Sequence, residues 1–201
     1  VFNLNSSDVL IDRVADNTLG SLHFNAGSAS TTQSTFNSPK GMAYDAARNY
    51  LFVSDGNNHR ILVFDVATIL NGENAINVLG QANFTSGSAN RGAAAAQNSL
   101  SLPIGLAYDS ARNFLYAVDS GNQRILIFDV GSISDGENAV GVLGQPDFIT
   151  TNATTTDSGL SNPYDLTYDG TNQRLFASDG GNNRVLSYDL TSITNGEAAN
   201  R

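Results

Sequence analysis

Three aspartates, Asp55, Asp119 and Asp179, each stand five residues before an arginine: Arg60, Arg124 and Arg184. A carboxylate and a guanidinium at that separation suit two kinds of chemistry. One is a ring of charged ligands around a shared channel; the other is a charge-assisted hydrogen bond that pins a turn. A pair needed in every copy whatever the ligand is architecture first, so these six residues are read as a structural repeat pair. Between them run Gly56 to His59, Ser120 to Gln123 and Gly180 to Asn183, whose Gly and Asn content points to a turn with positive φ. His59, Gln123 and Asn183 hold the one variable position of that turn. Variation at a fixed scaffold position can spread ligand contacts over one face, so these three are the candidate ligand-binding residues. The bland alternative is that the position is merely solvated.

Other chemistry finds little material. His23 and His59 are the only histidines and there is no cysteine, whereas a catalytic zinc site takes two or three His plus a carboxylate. No metal ligand or cofactor is assigned. Asp8, Asp12 and Asp16 form the one dense acidic cluster outside the repeats and the only candidate for Ca²⁺, without an Asp-x-Asp-x-Asp-Gly loop. No Gly-x-Ser-x-Gly elbow and no phosphate-binding Gly-Lys-Ser/Thr loop occurs, so no catalytic residue is named. Ten basic against nineteen acidic residues, a net charge of −9, argue against nucleic acid, which is bound by neutralising phosphates. Basic residues outside the repeated motif are Arg13, Lys40, Arg48, Arg91, Arg112, Arg174 and Arg201. No apolar run approaches a membrane span, so no membrane insertion is expected.

The elements that position the Asp and Arg residues are repeated too. Pro39 to Asp45 (PKGMAYD) returns as Pro103 to Asp109 (PIGLAYD) and Pro163 to Asp169 (PYDLTYD), offset by 64 and then 60 residues. Second blocks end at Asp55, Asp119 and Asp179, third blocks run from the arginines to Asp65, Asp129 and Asp189, and fourth blocks read Val78-Leu79-Gly80-Gln81 and Val142-Leu143-Gly144-Gln145. Thr18-Leu19-Gly20-Ser21 is a degenerate forerunner of the fourth. Short blocks of β-branched and aromatic residues bounded by Gly, Asn, Asp and Pro read as strands. Nine Asp spaced by ten residues within each copy then predict an antiparallel meander. Four strands per copy match a propeller blade. The segments Leu22 to Ser38, Ala82 to Leu102 and Pro146 to Asn162, rich in Ser, Thr, Asn, Gly and Ala, are predicted surface loops, with a helical turn at Ala93 to Ala96 as an option that nothing caps.

The third-strand approach, Asp55-Gly56-Asn57-Asn58-His59-Arg60 and its two counterparts, together with the preceding Pro-x-Gly-x-Ala-Tyr-Asp, resembles the NHL repeat. The resemblance covers about residues 39–189 and implies a β-propeller, usually six-bladed, in which the Asp and Arg tie strands or blades together. It implies no single activity, because such propellers include protein-binding and RNA-binding modules and, more distantly, metal-dependent lyases and hydrolases.

The expectation is therefore an all-β propeller of four-stranded antiparallel meanders, about three blades per chain and half of a six-bladed ring. Residues 1–38 give a partial blade and polar loop, 39–102 and 103–162 two blades with insertions, and 163–201 an incomplete blade of three strands. Val1 to Leu4 line up with the end of a third strand. Closure calls for self-association or for the remainder of a longer chain. The function read from this is non-catalytic binding or assembly at an extracellular or cell-surface location, with protein or glycan partners contacted through one face. The alternatives are a metal-dependent propeller lyase or lactone hydrolase, and a structural subunit that adds blade to blade into a ring or filament.

Overall fold

The computed structural model describes residues 15–25 and 27–200; Val1 to Leu4, Asp8 and Asp12 lie outside these. Among the described residues eleven strands form three antiparallel sheets. The first blade is β1 (Pro39–Asp45), β2 (Tyr50–Asp55), β3 (Arg60–Asp65) and β4 (Asn77–Leu79). The second is β5 (Pro103–Asp109), β6 (Phe114–Asp119), β7 (Arg124–Asp129) and β8 (Gly141–Leu143). The third has three strands, β9 (Pro163–Asp169), β10 (Arg174–Asp179) and β11 (Arg184–Asp189). Each sheet is a plain meander with strands in chain order.

The ten-residue ladder of aspartates divides into two jobs. At the ends of the first and third strands, the Oδ1 atoms of Asp45, Asp65, Asp109, Asp129, Asp169 and Asp189 accept the N–H two residues on, at 2.9 to 3.0 Å. Each such bond starts a turn that reverses the chain. The three at the ends of second strands, Asp55, Asp119 and Asp179, face arginines instead.

Alternation along each strand sends side chains to opposite faces, and blades stack face to face. Phe52, Ile61, Val63 and Leu79 of the first blade meet Leu106, Leu115, Ala117, Leu126 and Phe128 of the second. One step on, Tyr116, Val118, Ile125, Ile127 and Leu143 meet Leu166, Leu175, Ala177, Leu186 and Tyr188 of the third. The opposite face of the first blade, with Val53, Leu62, Phe64 and Val78, lies under Leu19, Phe36 and Phe84. The first strands of successive blades run close together, and glycine permits it. A Cβ on Gly41 would stand 3.0 Å from Gly105 Cα and closer still to Ile104 O, and one on Gly105 would stand 2.7 Å from Asp165 Cα.

Two sequence readings change. The helical turn lies at Ala89–Gly92, a 3₁₀ turn, not at Ala93 to Ala96. The arginines Arg48 and Arg112, counted outside the repeated motif, occupy one repeat position and latch blade to blade. Arg48 Nη1 reaches Val130 O, and Arg112 Nη2 donates to Leu190 O at 2.9 Å. Each is also paired with the aspartate three residues before it. The carbonyl targets carry no sequence signature, which is why spacing alone does not reveal them.

Candidate functional site

The turn between second and third strands is one 3₁₀ turn, at Gly56–Asn58, Ser120–Asn122 and Gly180–Asn182. Positive φ falls after it, on His59 (52°), Gln123 (56°) and Asn183 (53°), rather than on its glycines. The glycines serve close approach: a Cβ on Gly121 or Gly181 would press on the backbone and side chain of Ser101 or Ser161. The variable position is thus the left-handed one.

Each Asp–Arg pair is the hub of a loop anchor. Asp55 Oδ2 accepts from Arg60 Nε and Asn58 Nδ2, both at 2.8 Å, and Oδ1 accepts from Asn37 N at 2.6 Å. Arg60 and Asp55 are fully buried. Arg60 spends its outer nitrogens on main-chain carbonyls: Nη2 on Thr32 O at 2.8 Å and Thr35 O at 3.0 Å, Nη1 on Phe84 O. The second blade repeats this with Arg124 on Ala96 O, Ser99 O and Phe148 O, and Asp119 Oδ1 on Ser101 N. Burial pushes the Asp119 carboxyl above its ordinary range, against the pull of Arg124, Asn122 and the Ser101 N–H. In the third blade Arg184 Nη1 turns to Thr155 O, and its side chain stays 28% exposed. A guanidinium suits this role because its planar fork offers several fixed donors at once. The anchors bring the second-to-third strand turns and the polar loops 22–38, 82–102 and 146–162 onto one face.

The three candidate ligand residues have different surroundings. His59 Nδ1 accepts the N–H of Leu102 at 2.9 Å, and Gln123 Oε1 accepts that of Asn162 at 2.5 Å. Both tie one blade to the residue that precedes the next blade's first strand. Burial holds the His59 imidazole below its usual pKa, with the Asp55 charge acting the other way. Asn183 is exposed, and its side chain has no hydrogen-bond partner among the described residues.

What remains open to solvent on this face is loop surface. Ile149 is 70% exposed and Phe24 54%, on otherwise polar loops; Leu22, 66% exposed, lies over Gly72 in the connection between β3 and β4. Among the described residues no group of three or more His, Cys, Asp or Glu side chains converges as a metal-ligand set. Asp16, the one member of the acidic cluster that is described, is exposed. No helix among them is long and apolar enough to cross a membrane.

Residues 36–64, the loop end and first three strands of the first blade, match the family model of the NHL repeat. A solved chain from a structure titled as the crystal structure of a nidogen/laminin complex superposes with a TM-score of 0.51 at 22% identity. The match covers 82% of this chain and 47% of that one, so this chain spans about half the length of its structural relative. At that identity the likeness is one of fold. No curated protein matches.

Proposed function

We propose that this chain, an NHL-repeat β-propeller, is a non-catalytic binding module that contacts a protein partner through the face formed by its turns and polar loops. The observation that carries the reading is the anchoring of those loops. Buried Arg60 and Arg124 hold the loop bases through main-chain carbonyls, while Ile149 and Phe24 stay exposed on those loops. Functional contacts are commonly made by loops that a rigid scaffold positions. Large apolar side chains on a polar surface are the groups through which protein partners gain most binding energy. The nidogen/laminin title of the structural relative names an assembly between proteins, which agrees with a protein partner more than with a glycan. A Ser-, Thr- and Asn-rich surface with little lysine suits an extracellular or cell-surface location.

A photo-crosslinking residue placed at Ile149, at Phe24 or, as a control, at Leu70 tests this. Leu70 is 69% exposed and lies outside those loops, in the connection between β3 and β4. In the native cellular setting, adducts with one protein from Ile149 and Phe24 but not from Leu70 are expected. Equal labelling from all three positions, or none from Ile149 and Phe24, rejects the reading.

A further inference from the structure

The junction between the second and third blades holds a small apolar cleft. It measures about 180 Å³ and is lined by Phe114, Ile127, Val140, Gly141, Ile193 and Asn195, with no charged side chain among them. The same positions can be followed one junction earlier. Gly141 lies opposite Ile127 in the pairing of β7 with β8, as Asn77 lies opposite Val63 in the pairing of β3 with β4. The repeat offsets make Tyr50, Ile76, Ile133 and Asp135 the counterparts of Phe114, Val140, Ile193 and Asn195. In that first junction a side chain spans from one blade to the next: Asn77 Nδ2 donates to Asp135 Oδ1 at 3.2 Å.

The second junction has the same backbone and lacks that span. Gly141 brings no side chain. The three atoms nearest a Cβ built on it all belong to the Ile127 side chain, the closest being Cδ1 at 3.2 Å, so a side chain at 141 would enter the cleft along Ile127. Asn195 keeps one duty of Asp135: its Oδ1 accepts the N–H of Val142 at 3.1 Å, as Asp135 Oδ1 accepts that of Val78 at 3.1 Å. The second hydrogen bond that Asp135 Oδ1 receives, from Asn77, has no equivalent at Asn195. Its Nδ2 has no partner among the described residues either. A side-chain amide offers two lone pairs and two N–H groups, so Asn195 presents one acceptor site and its donors to whatever enters the cleft.

We propose that this cleft binds a small neutral hydroxylated aromatic molecule, of the phenol class. The ring lies among Phe114, Ile127, Val140 and Ile193, and the hydroxyl donates to Asn195 Oδ1 where the Asn77 amide donates to Asp135. Size selects one ring, since an apolar cavity of about 150 Å³ takes benzene. An aromatic ring also gains from packing against Phe114 beyond the area it buries. The apolar lining excludes an ionised ligand, whose lost hydration nothing there would replace. Asn195 selects the hydroxyl, because a purely apolar ligand would cover the amide without pairing it. The site is independent of the loop-face reading: none of its residues belongs to those loops or turns, and both blades that form it lie within the described residues.

Titration of the methyl-labelled chain with p-cresol, followed by NMR, tests it. Saturable shifts are expected at the methyl groups of Ile127, Val140 and Ile193, with a Kd of about 0.1–1 mM, suited to so small a ligand. The methyl groups of Val63, Ile76 and Ile133, at the first junction, should stay still. Toluene, which has the same ring and methyl group without the hydroxyl, should bind about tenfold more weakly. Gly141→Asn puts the side chain of Asn77 into the cleft and should abolish the response; unchanged signals from Val63, Ile76 and Ile133 would show that the variant folds. Gly141→Ala fills less of the space and should weaken binding about tenfold, which keeps the test decisive if the asparagine variant does not fold. Absence of saturable shifts in the wild-type chain, equal shifts at both junctions, equal affinity for toluene, or full binding by a folded Gly141 variant overturns the proposal.

Discussion

His59 Nδ1 accepts the backbone N–H of Leu102 at 2.9 Å, so one imidazole lone pair holds the start of the second blade's first strand to the turn of the first blade. That bond requires a neutral ring. Burial keeps the folded-state pKa of His59 below its ordinary 6.5. The unfolded chain therefore takes up the proton first as pH falls, and the stability due to this tie is fully present above 6.5 and is lost on acidification below it. Because Gln123 makes the equivalent bond without a titrating group, His59→Gln should keep most of the stability at pH 7.5 and remove this component of the loss at pH 5.5. The component should be about 0.5–1.5 kcal/mol, the size of one hydrogen bond. Urea midpoints of both proteins at the two pH values measure it.

Removing a buried guanidinium should be costly. Arg124→Met leaves Asp119 buried beside two remaining donors and frees three loop carbonyls, so a loss of about 3–5 kcal/mol is expected. Arg124→Lys should recover little of it, because one ammonium cannot reproduce the fork. Arg184→Met should cost clearly less, since that side chain is 28% exposed. Chemical denaturation of the three variants ranks them.

Gly41→Ala puts a methyl group against Gly105 Cα and the Ile104 carbonyl, which are backbone atoms and cannot rotate away. A loss of about 1–3 kcal/mol is expected from overpacking. A substitution at Gly27, where nothing lies within 4 Å of an added Cβ, should be nearly silent. Thermal melting of the two alanine variants separates them.

The hydroxyls of Tyr116 and Tyr188 are buried without a hydrogen-bond partner among the described residues, and burial pushes both phenols far above their ordinary pKa. Tyr116→Phe and Tyr188→Phe relieve that desolvation at unchanged packing. Each should raise stability, by roughly 0.5–2 kcal/mol. A drop in midpoint for either variant would show that its hydroxyl has a partner, such as ordered water.

The strands were legible because each carries its own punctuation. Pro39, Pro103 and Pro163 open the first strands, and the aspartates that close first and third strands do so by bonding the chain two residues on, a local act that leaves a local pattern. The pairing of Asp55 with Arg60 was legible for a similar reason, since five residues separate them, but the loop carbonyls that Arg60 holds were not. Composition points to a positive φ in this turn without saying which residue takes it, because glycine has two uses, positive φ and close approach; here Gly121 serves the second, and Gln123 takes the first. The tie from His59 to Leu102 and the latch from Arg48 to Val130 were invisible in sequence. Their acceptors and donors are main-chain groups, which every residue possesses.

That same property gives the loop anchors a consequence for how such a surface can change. Arg60 grips Thr32, Thr35 and Phe84 by their carbonyl oxygens, not by their side chains. A grip of that kind is indifferent to spelling. The loops can be rewritten residue by residue and the bases will still be held in place, so new recognition surfaces can be tried on this frame without renegotiating its stability each time.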